Sequence, residues 1–556
     1  MPAAGFSGQI KKILTFERTF FLILIIAFIL RFAFLDLKLL HHDEAIHAWF
    51  SYNLLTTGAW SYDPSYHGPF LYFVTAAMFA VLGASDLVAR LLPSFFGLIL
   101  IPFVYWIYRL GYLDKKQTIL AALFIAISPD MVYFSRFLRH DIFMLTFTLL
   151  LVVALLAYFE KGQSRYAVLA AIATTGSLAC KEEMPVILII FAVYFIVAIR
   201  QKQFALPPQW KTDLLFCALF VVGILALLYS AFGAHVDTLI GKDFMLNTTG
   251  WYQAVEHWGA MHNQQRLGGP FYFYIPLYLL YEVPIFILAI IATLQFLFPV
   301  ERIRVFFRRL LNWIRYRTFT LSTAELAGAS IRQLSVPREG TRKTDEFIRF
   351  CIWWMFLTMA FYAWVGEKVP WLLIPQLLPM IFVATYRLNL AKIAFAAIGV
   401  VFLIGMTWHI AFVPVDISEP IVQVQNSEDM RTVMGLMDRA DRVVLASTSY
   451  WPLPWYYRGD IWKEKITLYG ERKDMDVLTA QNPEMIILHD TESYDMIEGY
   501  DKTTYKLCYW FSFYDNEHRL AEYYLLRDGK LGSINLDVFT RNGFDANASR
   551  STAAVT

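Results

Sequence analysis

The sequence predicts a mainly α-helical, polytopic membrane bundle of about eleven spans with a small extracytoplasmic α/β domain at its C-terminal end. Three observations lead there. Of 556 residues, 57% are hydrophobic and only 17% charged, too apolar a balance for a soluble chain of this length. Apolar stretches of about 17 to 25 residues, the length that spans about 30 Å of hydrocarbon as helix, recur along the chain. The basic loops between them all fall on one side.

The apolar run 19–30 follows Lys11, Lys12 and Arg18 and has no small-residue cleavage site after it, which predicts an uncleaved signal anchor. Spans are expected near 18–36, 87–109, 116–133, 142–159, 165–180, 184–200, 212–233, 271–298, 347–365, 371–387 and 391–412. Lys and Arg gather in 11–18, 114–117, 160–165, 200–211 and 301–349, and with these spans each segment lies on the side of the N-terminus, hence in the cytoplasm. An odd number of spans then places the C-terminal domain outside, in a multi-pass protein of the cell membrane. The stretch 70–82 is too short to cross and is assigned to the outer interface. In 301–346, Arg302, Arg304, Arg308 and Arg309 interleave with Phe306, Phe307 and Leu310, a basic amphipathic loop suited to the anionic inner surface.

Residues 1–412 therefore read as the transmembrane domain. After Pro414, "RVVLAS" (442–447) and "EMIILHD" (484–490) alternate with helical patterns at 427–440 and 474–481, and strand-like "YKLCYWFSF" and "AEYYLL" follow. This predicts an α/β domain over 413–541, with an Ala/Ser/Asn-rich, disordered tail over 542–556. The 47 Phe, 31 Tyr and 16 Trp suit membrane interfaces. Four cysteines form no disulfide or metal pattern, and a net charge of +2 without a basic groove argues against a nucleic-acid partner.

Ionisable groups are costly near membrane helices, so their placement carries the functional signal. "HHDEAIHAWF" opens the first outer loop; on a helix Asp43 and Glu44 share a face with His47, and a carboxylate beside imidazoles serves as a general base or holds a divalent ion. In "SPDMVYFSRFLRHD", Arg136, Arg139 and His140 on one helical face suit an anion such as phosphate, and Asp141 opens the next span or caps it. "CKEEMP" places Lys181, Glu182 and Glu183 at a tight outer turn, and "VGEKVPW" does the same for Glu367 and Lys368. The loop 234–270 is long enough for a lid. All four charged segments share the outer face, and the sequence predicts that they converge into one pocket. Among spans, no broken-helix pair in corresponding halves is expected, Glu282 beside Pro284 being the exception.

With these motifs the chain resembles the GT-C superfamily of glycosyltransferases that use polyprenyl-phosphate sugars, over most of 15–412. Asp43–Glu44 matches the acidic pair of the protein O-mannosyltransferases. "YHGPFLYF" (66–73) is similar to the family's His/Lys-Pro-Pro-Leu segment, with Gly68 replacing the first Pro, and "ARLLPSFFGLILIP" (89–102) to its Ala-Arg-Leu-Pro-Ser opening. "WVGEKVPWLLIPQLLP" resembles the lysine segment of the lipid A aminoarabinose transferases, with Trp371 where Tyr is common. "HHDEAIHA", "SRFLRHD", "KEE" and "GEKVPWL" resemble most closely a prokaryotic, notably archaeal, group named flippase-activity-associated.

The resemblance implies transfer of a sugar, with inversion, from a polyprenyl-phosphate-sugar lipid to an extracytoplasmic protein, lipid or glycan. Asp43, with Glu44 and Asp141, would be catalytic, and Lys181, Lys368, Arg136 and Arg139 would meet the lipid phosphate. His47, His67, His140, Glu182 and Glu367 would contact substrate. A divalent ion on Asp43 and Asp141 is the one candidate cofactor. The rival readings are a non-enzymatic binder or flippase-associated partner of lipid-linked sugar, and an ion-coupled transporter.

Overall fold

The computed structural model describes residues 15–264, 269–298 and 339–544. Most of the basic loop 301–346, Arg266 of the long 234–270 loop, Lys11 and Lys12, and the tail beyond Phe544 lie outside them. Helices form wherever a span was expected. Among the described residues, five are long and apolar enough to cross a membrane: Asp86–Arg109, His140–Lys161, Trp210–Tyr229, Arg342–Trp364 and Leu390–Phe412.

Two expected spans are broken. Lys115–Ile127 meets Pro129–Ser135 at 56°, and Tyr274–Tyr281 meets Val283–Leu297 at 114°, which corrects the expectation of unbroken helices outside Glu282. Pro129 and Pro284 each stand in the first turn beyond a break, where a missing N–H leaves no bond unmade. Counting each pair once gives up to seven crossing elements. The other four expected spans are short: Phe16–Phe32 and Met184–Arg200 have 17 residues, Ser164–Leu178 has 15, and Pro370–Leu373 leads into Ile374–Ala384. Seventeen residues of helix reach about 25 Å, less than about 30 Å of hydrocarbon. The helix Phe70–Leu82 has 13 residues, too few to cross.

The chain divides into two compact units. The first holds Met1–Arg31, Phe95–Ser135 and Asp141–Thr407, and the regular elements among its described residues are helices. Its packing shows how the break at Ser128 is tolerated. The buried guanidinium of Arg31 donates to the carbonyls of Ile125 (2.8 Å) and Ala126 (3.1 Å), which a helix ending at Ile127 leaves without intrahelical partners. In the same unit Gly176 is required by close approach, since a Cβ there would stand 2.5 Å from the Phe147 ring.

The second unit holds Phe32–Ser94, Arg136–His140 and Trp408–Thr556. Its centre is a six-stranded mixed sheet of β1 (Gln425–Asn426), β2 (Val443–Ala446), β3 (Ile466–Leu468), β4 (Met485–His489), β5 (Tyr500–Phe511) and β6 (Leu531–Arg541), in the order β1-β5-β6-β4-β2-β3. β2 is parallel to β3 and β4, and the other neighbours are antiparallel. Both faces are covered: Val443, Leu445, Met485 and Ile487 join Val433 and Met437 of the helix Asp429–Arg439, while Val444, Ile486, Leu488 and Phe539 face the opposite cluster. Such runs, buried on two sides, read as unbroken apolar stretches rather than alternation.

"AEYYLL" is not a strand. It forms the helix Leu520–Leu526, with Tyr523 its one fully buried side chain. Asn542 bonds back to Gly499 (2.8 Å), so the first residues of the expected tail belong to the sheet domain.

Candidate active site

The second unit builds its charged cluster around the helix His42–Thr57. The helix starts at His41 through a capping box: His41 Nδ1 accepts from the Asp43 amide (3.1 Å), and Glu44 Oε2 accepts from the His41 amide (2.9 Å). Glu44 then turns inward and is fully buried. Its carboxylate receives both Nε (2.9 Å) and Nη2 (2.5 Å) of Arg90, and the Leu138 amide (2.9 Å). The same guanidinium donates to the carbonyls of Leu35, Lys38 and Leu39. Glu44, expected beside Asp43 in the chemistry, is thus committed to holding the loop 33–41 and the Arg136–His140 segment.

One residue earlier, and so about 100° around the helix, Asp43 points elsewhere. Its side chain keeps 26% of its exposure and pairs with the Arg139 guanidinium. Burial acts to raise its pKa, but Arg139 and the imidazoles of His41, His42 and His47 outweigh it and hold the carboxyl well below the usual range. Asp43 is therefore ionised at any pH the protein meets. His41, buried against the Gln423 carbonyl, is lowered by burial to about 4 and is neutral.

Three histidines gather beside this acid. The rings of His47 and His67 stand 5.1 and 5.3 Å from that of His140. The Tyr72 hydroxyl donates to the Tyr66 carbonyl (2.7 Å) and so accepts from His47 Nδ1 (2.8 Å). His140 Nε2 donates to the Gly68 carbonyl (3.0 Å), which fixes the tautomer and leaves Nδ1 a buried acceptor without a donor among the described residues.

Arg136 and Arg139 were expected side by side on a helix. Residues 136–139 are not helical, and Arg136 is directed instead to the carbonyls of Ala33 (2.6 Å) and Phe34 (2.7 Å) and the ring of Phe412. Arg139 pairs with Asp43.

The first unit carries its own cluster, beginning at Asp141, the residue after His140 in the chain. Asp141 Oδ1 pairs with Lys181 Nζ at 2.8 Å, both buried, and Lys181 lies 3.5 Å from Glu183. Tyr362 donates to Glu183 at 3.0 Å. The backbone carbonyl of Tyr362 in turn accepts from Lys368 Nζ (2.8 Å), as do those of Ala363 (2.9 Å) and Val365. Lys368 so caps the C-terminal end of Glu339–Trp364, where carbonyls lack helical partners, and burial lowers its pKa. Glu183 rather than Glu182 carries the contact to Tyr362, while Glu182 and Glu367 are half-buried.

The 234–270 loop joins this cluster through Gly250–Gln264: His262 Nδ1 accepts from the Gly366 amide (3.0 Å) and its ring stacks on Trp364 at 4.4 Å. A Cβ on Gly366 would collide with the His262 backbone.

Metal is a poor fit to this arrangement. Among the described residues no three His, Cys, Asp or Glu side chains are grouped to hold an ion, and Asp43 and Asp141 each face a cation. Sequence reading missed Arg90, Glu183's contact and Tyr362. Of these Arg90 had a signal, as the lone charge in the apolar run 87–108.

Deeper in the first unit, Glu282 at one helix break accepts from Ser128 Oγ (2.5 Å) and the Asp130 amide (3.1 Å) at the other, with both carboxyls buried.

Residues 66–226 match the family described as dolichyl-phosphate-mannose-protein mannosyltransferase. The fold matches the crystal structure of ArnT from Cupriavidus metallidurans bound to undecaprenyl phosphate, with a TM-score of 0.53 at 13% identity over 84% of this chain and 93% of that one. Both matches are to proteins of the GT-C superfamily. The apo form of ArnT gives a TM-score of 0.52 at 14% identity, over 84% and 92% of the two chains. The apo oligosaccharyltransferase of Archaeoglobus fulgidus gives 0.45 at 15% identity, over 85% of this chain and 69% of that one. No curated protein matches the sequence. At these identities likeness carries the fold and not the substrate.

Proposed function

We propose that this protein is a GT-C glycosyltransferase that transfers a sugar from a polyprenyl-phosphate donor to an acceptor on the extracytoplasmic face, inverting the anomeric carbon. The observation that carries the reading is Asp43: an ionised, partly exposed carboxylate held by Arg139 among imidazoles, on a fold similar to that of ArnT bound to undecaprenyl phosphate. The acceptor oxygen or nitrogen attacks the sugar C1 while the bond from C1 to the phosphate oxygen breaks. Its electron pair leaves with the lipid phosphate, and the acceptor proton passes to Asp43. A carboxylate of low basicity orients the acceptor first and takes its proton only as the nucleophile gains positive character. A phosphate leaves without prior protonation, so a second acid is unnecessary.

Lys368, whose partners among the described residues are carbonyls, is the cation that the resemblance to the aminoarabinose transferases assigns to the leaving phosphate. Arg139 and Lys181 hold Asp43 and Asp141 in position. His140 Nδ1 is suited to a sugar or acceptor hydroxyl, with His47 and His67 beside it. No metal enters the proposed step. The orientation, with the N-terminus in the cytoplasm and the C-terminal domain outside, and the eleven-span count rest on loop charge.

Purified protein given membrane extract and a panel of radiolabelled polyprenyl-phosphate sugars should form a labelled product from at least one donor, and Asp43→Asn should form none while still binding the lipid. Lipid binding without product from the wild type would favour the non-enzymatic binder. The buried carboxyls of Asp130 and Glu282 at two helix breaks favour ion-coupled transport as the second reading, which predicts pH-driven flux in liposomes that Glu282→Gln abolishes.

A further inference from the structure

The helix Leu520–Leu526 presents its apolar side outward. Leu525 is 83% exposed and Leu526 69%, with Leu520 and Tyr524 also on the surface. Four apolar side chains on seven residues make an expensive surface to leave in water. The polar side of this helix is fastened to a definite place. Glu419, fully buried, accepts from the Tyr523 hydroxyl (2.9 Å) and pairs with Arg527 (3.2 Å). The other Glu419 oxygen lies 3.0 Å from His409 Nε2, in the last turn of Leu390–Phe412. Ser418 Oγ adds a bond to the Arg527 carbonyl. One carboxylate thus ties the short helix to the end of an apolar helix long enough to cross a membrane.

That end carries the marks of a membrane boundary. Trp408, beside His409, is 62% exposed and stacks on Phe412, and Val415 just beyond is exposed as well. Aromatic rings of this kind sit at headgroup level. Through Glu419 the helix Leu520–Leu526 is joined to this same turn, which sets its leucines toward that level.

We propose that Leu520–Leu526 is an interfacial anchor: Leu525 and Leu526 insert into the leaflet at the end of Leu390–Phe412, and the Glu419 bridge holds the sheet domain at that depth. The occupant of the apolar face is lipid, and a protein partner or second copy is the alternative that the test separates. The inference stands whether or not the protein transfers sugar.

The test uses the full-length protein. Its native cysteines are buried or half-buried, so Leu525→Cys can carry an environment-sensitive fluorophore without deep labelling elsewhere. In liposomes containing lipid with a nitroxide near the headgroup, the Leu525→Cys probe should emit to the blue and be quenched at least twofold. A Glu471→Cys probe, beyond β3 at the opposite edge of the sheet, should remain aqueous and unquenched. Leu526→Cys is an independent second probe, and Glu419→Gln should reduce quenching at both leucines. Equal, aqueous behaviour of the three probes would overturn the proposal. So would a blue-shifted Leu525→Cys probe insensitive to nitroxide lipid, which would assign the face to protein.

Discussion

Glu44 and Asp43 in one unit, and Lys181 and Lys368 in the other, show the same division of labour between like charges. Glu44 is saturated by Arg90 and two amides, and Lys181 stands between Asp141 and Glu183. Asp43 remains partly exposed with one guanidinium, and Lys368 has carbonyl partners and no carboxylate within ion-pair distance among the described residues. A charge whose field is cancelled at close range stabilises the fold and has little left for a ligand. One held by dipoles or by a single partner at the surface keeps a field that a substrate can meet. Each cluster therefore pairs a structural charge with a reactive one of the same sign.

Substitution should separate the two kinds. The largest effect is expected at Asp43: Asp43→Asn should lower the rate of sugar transfer by about 10⁴-fold with the melting temperature nearly unchanged. Glu44→Gln should do the reverse, destabilising the protein by about 3–5 kcal/mol because it leaves Arg90 buried without its anion, as thermal unfolding in detergent would read. If folded Glu44→Gln loses activity as completely as Asp43→Asn, the division fails on the acidic side. On the basic side, Lys368→Gln should weaken use of the lipid donor by about 10²-fold in kcat/KM, about 2.7 kcal/mol, with Lys368→Arg recovering part. Lys181→Gln should mainly lower the melting temperature.

Much of this organisation was legible in the sequence. Apolar runs located the helices, because hydrocarbon leaves a chain no other way to satisfy its backbone. Hydropathy averages over proline, however, so the breaks at Ser128 and Glu282 and the shortness of Ile374–Ala384 were hidden in continuous apolar windows. In the sheet domain β2 and β4 were readable as short runs buried on both faces. β6, "LGSINLDVFTR", alternates too weakly to announce itself, and "AEYYLL" has strand-type residues but buries Tyr523 alone. Within the clusters, residue type was readable and direction was not. Asp43 and Glu44 differ by one step around a helix, as Lys181's neighbours Glu182 and Glu183 differ around a turn, and which one faces inward is decided by Arg90 and Tyr362, distant in the chain. The histidines at 47, 67 and 140 come together through Tyr72 and Gly68, contacts that spacing does not encode.

The smallest predicted effect concerns the start of the helix that sets Asp43 apart from Glu44. His41 Nδ1 caps that helix only while it is an unprotonated acceptor, and burial lowers its pKa from 6.5 to about 4. The folded state thus binds this proton less readily than the unfolded chain, and stability rises with pH across that interval. The contribution is fully present above pH 6.5 and is lost as pH falls toward 4, amounting to about 2 kcal/mol at pH 5. Melting temperatures measured from pH 7.5 to 5 should fall for the wild type and fall less for His41→Asn, which caps without titrating. An equal slope in the two proteins would show that the cap does not depend on a neutral His41, and Asp43 would then owe its direction to Arg139 alone.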